Sequence, residues 1–282
     1  MARDMDPGLY VVATPIGNLG DMTERALATL KGADVVAAED TRVTRGLLTH
    51  FGIGAKKLVS LRAHNERSEA ARVVAWIREG KSVAFVSDAG TPAVSDPGAR
   101  LVDATRAAGL PVFPVPGASA LTAALSASGI ESDGVVFAGF LPAKGAERRE
   151  RLADLAAGPW AIVLFEAPHR VAQTLADLHA SLGERDVVIA REITKKFEAI
   201  ARVPLAGARE WVEADDDRRR GEFVLVVEGR PVARDAAFDL TKVLETLLAE
   251  LPVRQAVAIA TKITGGKRNE IYAAALAMKK QI

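Results

Sequence analysis

The eighteen residues from Lys81 to Gly98, KSVAFVSDAGTPAVSDPG, restrict the fold more than any other stretch of the chain. They open on Val83-Ala84-Phe85-Val86, a continuous apolar run of the kind required by a parallel strand buried on both faces. At Ser87-Asp88 the run breaks into a loop built on Gly90, Pro92, Pro97 and Gly98, and a helical pattern follows from Ala99 to Ala108. The loop carries the hydroxyls of Ser87, Thr91 and Ser95 and the carboxylates of Asp88 and Asp96. Strand-to-helix connections usually take about two to six residues. Twelve turn-forming residues exceed what a plain connection needs. Ligands of open α/β sheets sit outside the carboxyl ends of the strands, so this loop reads as half of a binding site.

Composition narrows the function classes. The chain has 282 residues, 49% of them hydrophobic, with no apolar run near the length of a membrane span. The polar start Met1 to Gly8 lacks the apolar core of a signal peptide, and a soluble, cytoplasmic α/β protein is expected. With no cysteine, disulfides, thiolate catalysis and zinc–thiolate sites are excluded. His50, His64, His169 and His179 are scattered, and no metal centre is expected. A net charge of +1 means that any nucleic-acid binding must come from local patches.

Taken in order, Leu9 to Ala13 reads as the first strand, with Thr14 to Gly20 as the loop beyond it. Asp21 with Glu24 fits a capping box for a helix from Met22 to Lys31. A strand from Asp34 to Ala38 delivers Glu39-Asp40-Thr41-Arg42 to the same sheet edge, and a helix from Val43 to Phe51 follows. Leu58 to Leu61 leads to Arg62-Ala63-His64-Asn65-Glu66 and a helix from Ser68 to Glu79. After the strand Val112 to Val115, the helix beginning near Ser119 is nearly all Ala, Ser, Thr and Gly, which lets a backbone or a flat ligand approach closely. Composition then changes. Val135 to Leu141, Trp160 to Phe165, Asp186 to Ala190 and Gly221 to Glu228 read as strands of a second unit. Three helices over about 239–250, 252–263 and 267–280 resemble a helix-turn-helix. The expected organisation is two α/β domains, 1–129 and 130–232, with a cleft between them, and a helical tail over 239–282.

Ala75 to Ser82 matches a relaxed phosphate-loop pattern, but it closes a helix and precedes a strand. A true phosphate loop follows a strand and opens a helix. The loops Thr14–Gly20, Glu39–Arg42, Ser87–Gly98 and Pro116–Ala120 all follow strands of the first unit, as Glu166–Arg170 and Arg191–Glu198 do in the second. Two sheets presenting loops to each other form a crevice, a favoured ligand site.

Nine segments in unbroken order carry a resemblance: TPIGNLGD, AEDTR-T, HNER, SDAGTPAVSDPG, VPGASALTAALSASG, FAGFLP, FEAPHR, REITKKFE and GEFVLVVEG. From about Leu9 to Gly229 the chain is similar to the RNA-modifying branch of the tetrapyrrole methylase superfamily, the small-subunit ribosomal RNA ribose methyltransferases. The resemblance implies a homodimer of two α/β domains that binds S-adenosylmethionine in its cleft and methylates the ribose 2′-hydroxyl of a decoding-centre cytidine in 16S rRNA. The first loop, Thr14-Pro15-Ile16-Gly17-Asn18, stands where much of the superfamily has G-x-G-P-G, and the third-strand loop reads Ser87-Asp88-Ala89 in place of Gly-Asp-Pro. By position, the family's cofactor contacts fall on Pro15, Ile16, Asp88, Ala89, Thr91, Ser119, Ala120, Glu166 and Ala167.

A ribose hydroxyl is a poor nucleophile until its proton is taken. Asp40, His64 and Lys195 are the candidate catalytic groups, with Asp40 first; Glu39, Asp88 and Glu166 also stand at the crevice. Asp40 beside Arg42 reads equally as an ion pair, and His64-Asn65-Glu66 as a cap for the next helix. Phosphate contacts dominate RNA affinity. Arg42, Arg170, Lys195, Lys196 and the tail cations Arg254, Lys262, Lys267 and Arg268 (with Lys279 and Lys280) are candidates for them. Arg218-Arg219-Arg220 follows Asp215-Asp216-Asp217 and reads as a self-neutralised loop. A corrin or porphyrin C-methyltransferase, and a non-catalytic RNA-binding protein with an inherited nucleoside pocket, are the rival readings.

Overall fold

The computed structural model describes residues 5–230 and 240–279. Met1–Gly229 forms one compact unit and Arg230–Ile282 a second. The sequence boundaries at 232 and 239, and Lys280, lie outside the described residues.

The first unit holds two five-stranded sheets. In the first, β1 (Gly8–Val12), β2 (Val35–Ala38), β3 (Lys57–Ser60), β4 (Ser82–Val86) and β5 (Val112–Val115) run in the order β3-β2-β4-β1-β5. Every pairing is parallel. Strand β4 is the centre, and all five of its residues are buried, as its unbroken apolar run demands. Helices α1 (Glu24–Gly32) and α2 (Thr41–His50) cover one face, with Leu30 and Leu48 packed on Val36 and Val86. Helices α3 (Glu66–Arg78) and α4 (Ala99–Ala107) cover the other, with Val73, Ile77 and Leu101 on Phe85.

The second sheet has the order β6-β7-β10-β8-β9. It comprises β6 (Val135–Phe140), β7 (Ala161–Glu166), β8 (Asp186–Arg191), β9 (Ala199–Pro204) and β10 (Phe223–Val227). Only β6 and β7 run parallel; β10 is antiparallel to both β7 and β8. The start of β10 therefore lies beside the ends of its neighbours, with Phe223 opposite both Glu166 and Arg191. Helices α6 (Gly145–Ala156), α7 (Val171–Leu182) and α8 (Leu205–Glu213) fill one face with Leu152, Leu175 and Val212. The opposite face is covered by α5 (Ala120–Ser128), whose Ala124 packs on Val163, Val188 and Val224.

Several local expectations shift. Asp21 does not cap α1: it ends a short 3-10 turn, and Thr23 accepts the N–H of Ala26 at 3.1 Å instead. Two hydroxyl or carboxylate caps compete within three residues there, and the chain uses the one nearer the first apolar turn. Helix α2 starts two residues earlier than its apolar pattern, because Asp40 caps it by accepting the N–H of Arg42 at 2.8 Å. Strand β9 and helix α8 join the architecture between Glu198 and Gly221. The phosphate-loop look-alike closes α3, and Gly80 turns the chain at φ +86° into β4. Asp215, Asp216 and Asp217 pair in order with Arg218, Arg219 and Arg220, the self-neutralised turn expected.

Among the described residues, the second unit has three helices, α9 (Leu240–Glu250), α10 (Val253–Thr264) and α11 (Arg268–Lys279). They close on Leu244, Val257, Ala260, Ile271 and Ala275. Gly265, at φ +67° after α10, makes the break between the last two.

Candidate active site

A cavity of about 430 Å³ lies where the carboxyl ends of the first sheet's strands meet the second sheet. The first sheet contributes Ile16, Ala89 to Thr91, Val94 to Asp96, and Ser119 with Ala120 at the start of α5. From the second come Phe140, the turn from Phe165 to Pro168, Ile193 and the opening of β10. The antiparallel placement of β10 is what brings Glu222 and Phe223 to the same edge as Glu166 and Ile193.

The loops are fastened to one another. Thr14 and Gly90 exchange backbone hydrogen bonds at 2.9 and 3.0 Å. Gly90 has φ +74°, and a Cβ there would stand 3.1 Å from Ile16 Cγ2, so this crossing takes only glycine. Thr91 donates its hydroxyl to the Ala118 carbonyl at 3.1 Å, which joins the third loop. Ala93 and Ser95 sit at φ +66° and +65°, and Glu192 and Thr194 at +51° and +67°. Four non-glycine residues in the left-handed region, two on each side of the cavity, are strain of the kind that gathers at ligand sites.

Of the expected cofactor contacts, Ile16, Ala89, Thr91, Ser119, Ala120, Glu166 and Ala167 line the cavity. Ser119 is the residue preceding α5, and its hydroxyl makes no capping bond to that helix. Pro15 is buried outside the lining. Asp88 also lies outside it: Oδ1 accepts the N–H of Asp40 at 2.9 Å, and its own N–H donates to Glu39 Oε2 at 3.3 Å. Asp88 thus ties the start of α2 to the β4 loop. The Glu166 side chain is consumed internally, accepting from Thr174 Oγ1 at 2.6 Å and from the Ala167 N–H at 2.8 Å.

The three catalytic candidates all fall outside the cavity lining. Hydrogen bonds from the Arg42 side chain and backbone hold the Asp40 carboxyl far below the usual carboxylate range, and Arg62 adds to the effect. A carboxylate so stabilised is a weak proton acceptor. His64 is exposed. Burial works against the charge of Lys195, but its hydrogen bonds to Glu192 and Glu222, each 2.9 Å, outweigh that and keep it a firm ammonium.

Asp96, which the sequence sets on this loop but not among the catalytic candidates, is the carboxylate the structure adds to the site. It lines the cavity, and burial, followed by the nearby charges of Glu39 and Asp88, pushes its carboxyl up to about 6. Burial likewise raises Glu39, against the opposing hydrogen bond from the Asp88 N–H. The only signal in the sequence was its place as the second acid of the SDAGTPAVSDPG loop.

Among the expected RNA contacts, Arg42, Lys196, Arg254, Lys262, Lys267 and Arg268 are exposed. Arg42 is shared with Asp40, and Lys267 lies 3.6 Å from Glu270. Arg170 is turned inward, donating to the Leu141 carbonyl at 2.6 Å and standing 3.2 Å from Glu166. It holds the Leu141-Pro142 turn, and Lys195 is committed to its two glutamates.

Two facing sheets with a strained, loop-lined cavity define a class. Residues 8–209 match the family described as tetrapyrrole (corrin/porphyrin) methylases, and the chain belongs to it. Residues 234–279 match a second description, the RsmI C-terminal HTH domain. Within the class, its relatives are the enzymes named ribosomal RNA small subunit methyltransferase I. The one from Escherichia coli O157:H7 is 47% identical, over 95% of this chain and 94% of its own. That of Neisseria meningitidis serogroup B is 48% identical, over 96% and 94%. Among solved structures, a uroporphyrin-III C-methyl transferase from Thermus thermophilus, complexed with S-adenyl homocysteine, shares the fold. It has a TM-score of 0.54 at 19% identity, over 78% of this chain and 97% of its own. Among the described residues, no helix is long and apolar enough to cross a membrane.

Proposed function

We propose that this methyltransferase uses S-adenosylmethionine to methylate the ribose 2′-hydroxyl of a decoding-centre cytidine in 16S rRNA, acting in the cytoplasm as a homodimer. The cavity carries the reading. Its volume of about 430 Å³ suits a nucleoside-sized ligand, and its walls are apolar with a few placed polar groups. Gly90, at φ +74° and close against Ile16, lets the β4 loop cross the first loop and so shapes the cavity wall. The hydroxyl of Ser119 is not spent on its own helix. The donor supplies an electrophilic methyl on a sulfonium, and in-line alignment with the acceptor oxygen yields much of the rate.

The chain's own groups then have defined tasks. Ile16, Ala89 and Ala167 give the donor a dry wall. Asp96, ionised only as pH rises past about 6, is the carboxylate on that wall placed to take the proton of a ribose hydroxyl as its oxygen attacks the methyl. Asp40 and Asp88 act indirectly by fixing α2 against the β4 loop. The exposed cations of α10 and α11 are suited to phosphate contacts.

Tritiated S-adenosylmethionine with small subunits lacking the modification, followed by nucleoside analysis, tests the reading. Label in 2′-O-methylcytidine is expected. Label on a tetrapyrrole instead, or RNA binding with no transfer, would overturn it. Light scattering of the full chain tests the dimer.

A further inference from the structure

Strand β6 contains a bulge of one residue. Its register against β7 pairs Phe137 with Val163, then Gly139 with Leu164 and Phe140 with Phe165, so Ala138 is the extra residue. Side chains alternate along a strand, and without the insertion Phe137 and Phe140 would point to opposite faces. With it they share one. Phe137 and Phe140 both meet Phe165 edge-on, at centroid distances of 4.9 and 5.7 Å. Val163 and Phe165 mark the face covered by α5, whereas Ile162 and Leu164 mark the face buried under α6, α7 and α8. The bulge therefore takes Phe140 out of that second core and sets it on the cavity wall, where it remains 56% exposed.

The bulge is also locked from the opposite loop. Gly139 has φ +61°, and a Cβ there would stand 2.7 Å from Ser95 Oγ. Bulges that re-aim a side chain beside a site are built features of a fold. An aromatic ring steered out of a core and left half in solvent, at the mouth of a polar-tipped cavity, has a face available for a flat partner.

We propose that Phe140 is the stacking platform for a nucleobase of the acceptor RNA, holding the nucleotide whose ribose enters the cavity. This rests on the reading of the chain as an RNA methyltransferase. Sequence-specific RNA recognition splays unpaired bases onto aromatic side chains, and enzymes acting on single nucleotides draw them out of the stack. Phe140 faces the same cavity as Ser95 and Asp96, so a stacked base would leave its sugar near that carboxylate.

The test compares the full-length wild type with Phe140→Ala and Phe140→Tyr in three measurements. These are equilibrium binding of unmodified small subunits, KM and kcat for methyl transfer, and calorimetric affinity for S-adenosylhomocysteine. Phe140→Ala is expected to weaken subunit binding and raise KM by about tenfold or more. Phe140→Tyr restores both, and S-adenosylhomocysteine affinity stays within about twofold of wild type in each variant, taking twofold as well under the tenfold effect of a lost stack. Unchanged subunit binding in Phe140→Ala overturns the proposal. So does a parallel loss of S-adenosylhomocysteine affinity, which would assign the ring to the donor's adenine. Because subunit binding is read without turnover, a wild type that fails to transfer label sinks the assigned activity while the binding comparison still decides the role of Phe140.

Discussion

The side chain of Lys195 lies across the backbone of Gly17, so that a methyl group at Gly17 would overlap its stem, with Lys195 Cε at 2.9 Å. The lysine is on the loop beyond β8 and the glycine on the loop beyond β1, and the ammonium is held at 2.9 Å by both Glu192 and Glu222. The lysine stem thus packs the rim of the second sheet onto the first loop, while its ammonium is anchored by glutamates of the second sheet alone. Gly17→Ala is expected to cost about 1–2 kcal/mol of stability and to weaken S-adenosylhomocysteine binding. Adding Lys195→Ala should return part of that loss, since the obstructing stem is gone. A double-mutant cycle from urea unfolding measures the coupling, and strict additivity would show that the two residues do not meet.

Asp96 sets a pH dependence. Its carboxyl is raised to about 6 in the folded chain, so the native state holds a proton that the unfolded state has released. Stability from this group is therefore fully present below the ordinary carboxylate pKa and is lost as pH rises through about 6. Asp96→Asn should stabilise the free protein at neutral pH by about 1 kcal/mol, a figure reduced for solvent screening of a partly exposed group. Turnover should move the opposite way, falling in Asp96→Asn and, in wild type, rising with pH through the same range. Thermal unfolding and pH–rate profiles of both proteins check this, and equal profiles would remove Asp96 from the chemistry.

Glu66 is buried, and one of its oxygens accepts the N–H groups of Gly98, Arg100 and Leu101 at 2.9, 2.9 and 3.3 Å. It caps α4 from a distance and steadies the end of the SDPG turn. Glu66→Ala would leave several buried donors without a partner and should cost about 2–4 kcal/mol in denaturant unfolding. Glu66→Gln, which keeps an acceptor oxygen, should lose less. Equal losses would mean that packing and not capping is the source.

Removing residues from Leu240 onward deletes a unit with its own core and the exposed cations Arg254, Lys262 and Arg268. The shortened chain should bind small subunits at least about tenfold more weakly, with a shallower dependence on salt, and bind S-adenosylhomocysteine as before. An unchanged salt slope in filter-binding or anisotropy measurements would show that the phosphate contacts lie elsewhere.

What could be read in advance follows the range of the forces involved. The unbroken runs Ser82–Val86 and Phe223–Val227 announce strands covered on both faces, and both are buried at every position. The edge strand Ala199–Pro204 alternates partly buried and exposed residues, a much fainter pattern. The loops around the cavity were recognisable because each follows a strand. The duties of their acids were not, because these are settled by partners far along the chain. Asp88 meets Asp40 across 48 residues, and Glu66 reaches Gly98 across 32. Asp96 owes its character to burial that appears only when the loops close around it. The bulge at Ala138 is equally silent in one dimension, since it exists only as a register against β7.

Helix α5 leaves the last strand of the first sheet, yet its apolar residues Leu121, Ala124 and Leu125 cover the second. Cutting the polypeptide after Gly129 would strand this helix with nothing to shield, and the remaining piece would present Val163, Val188, Val224 and Val226 to water. The halves that clasp the cavity are thus obliged to fold as partners, and neither should be recoverable as a soluble fragment on its own.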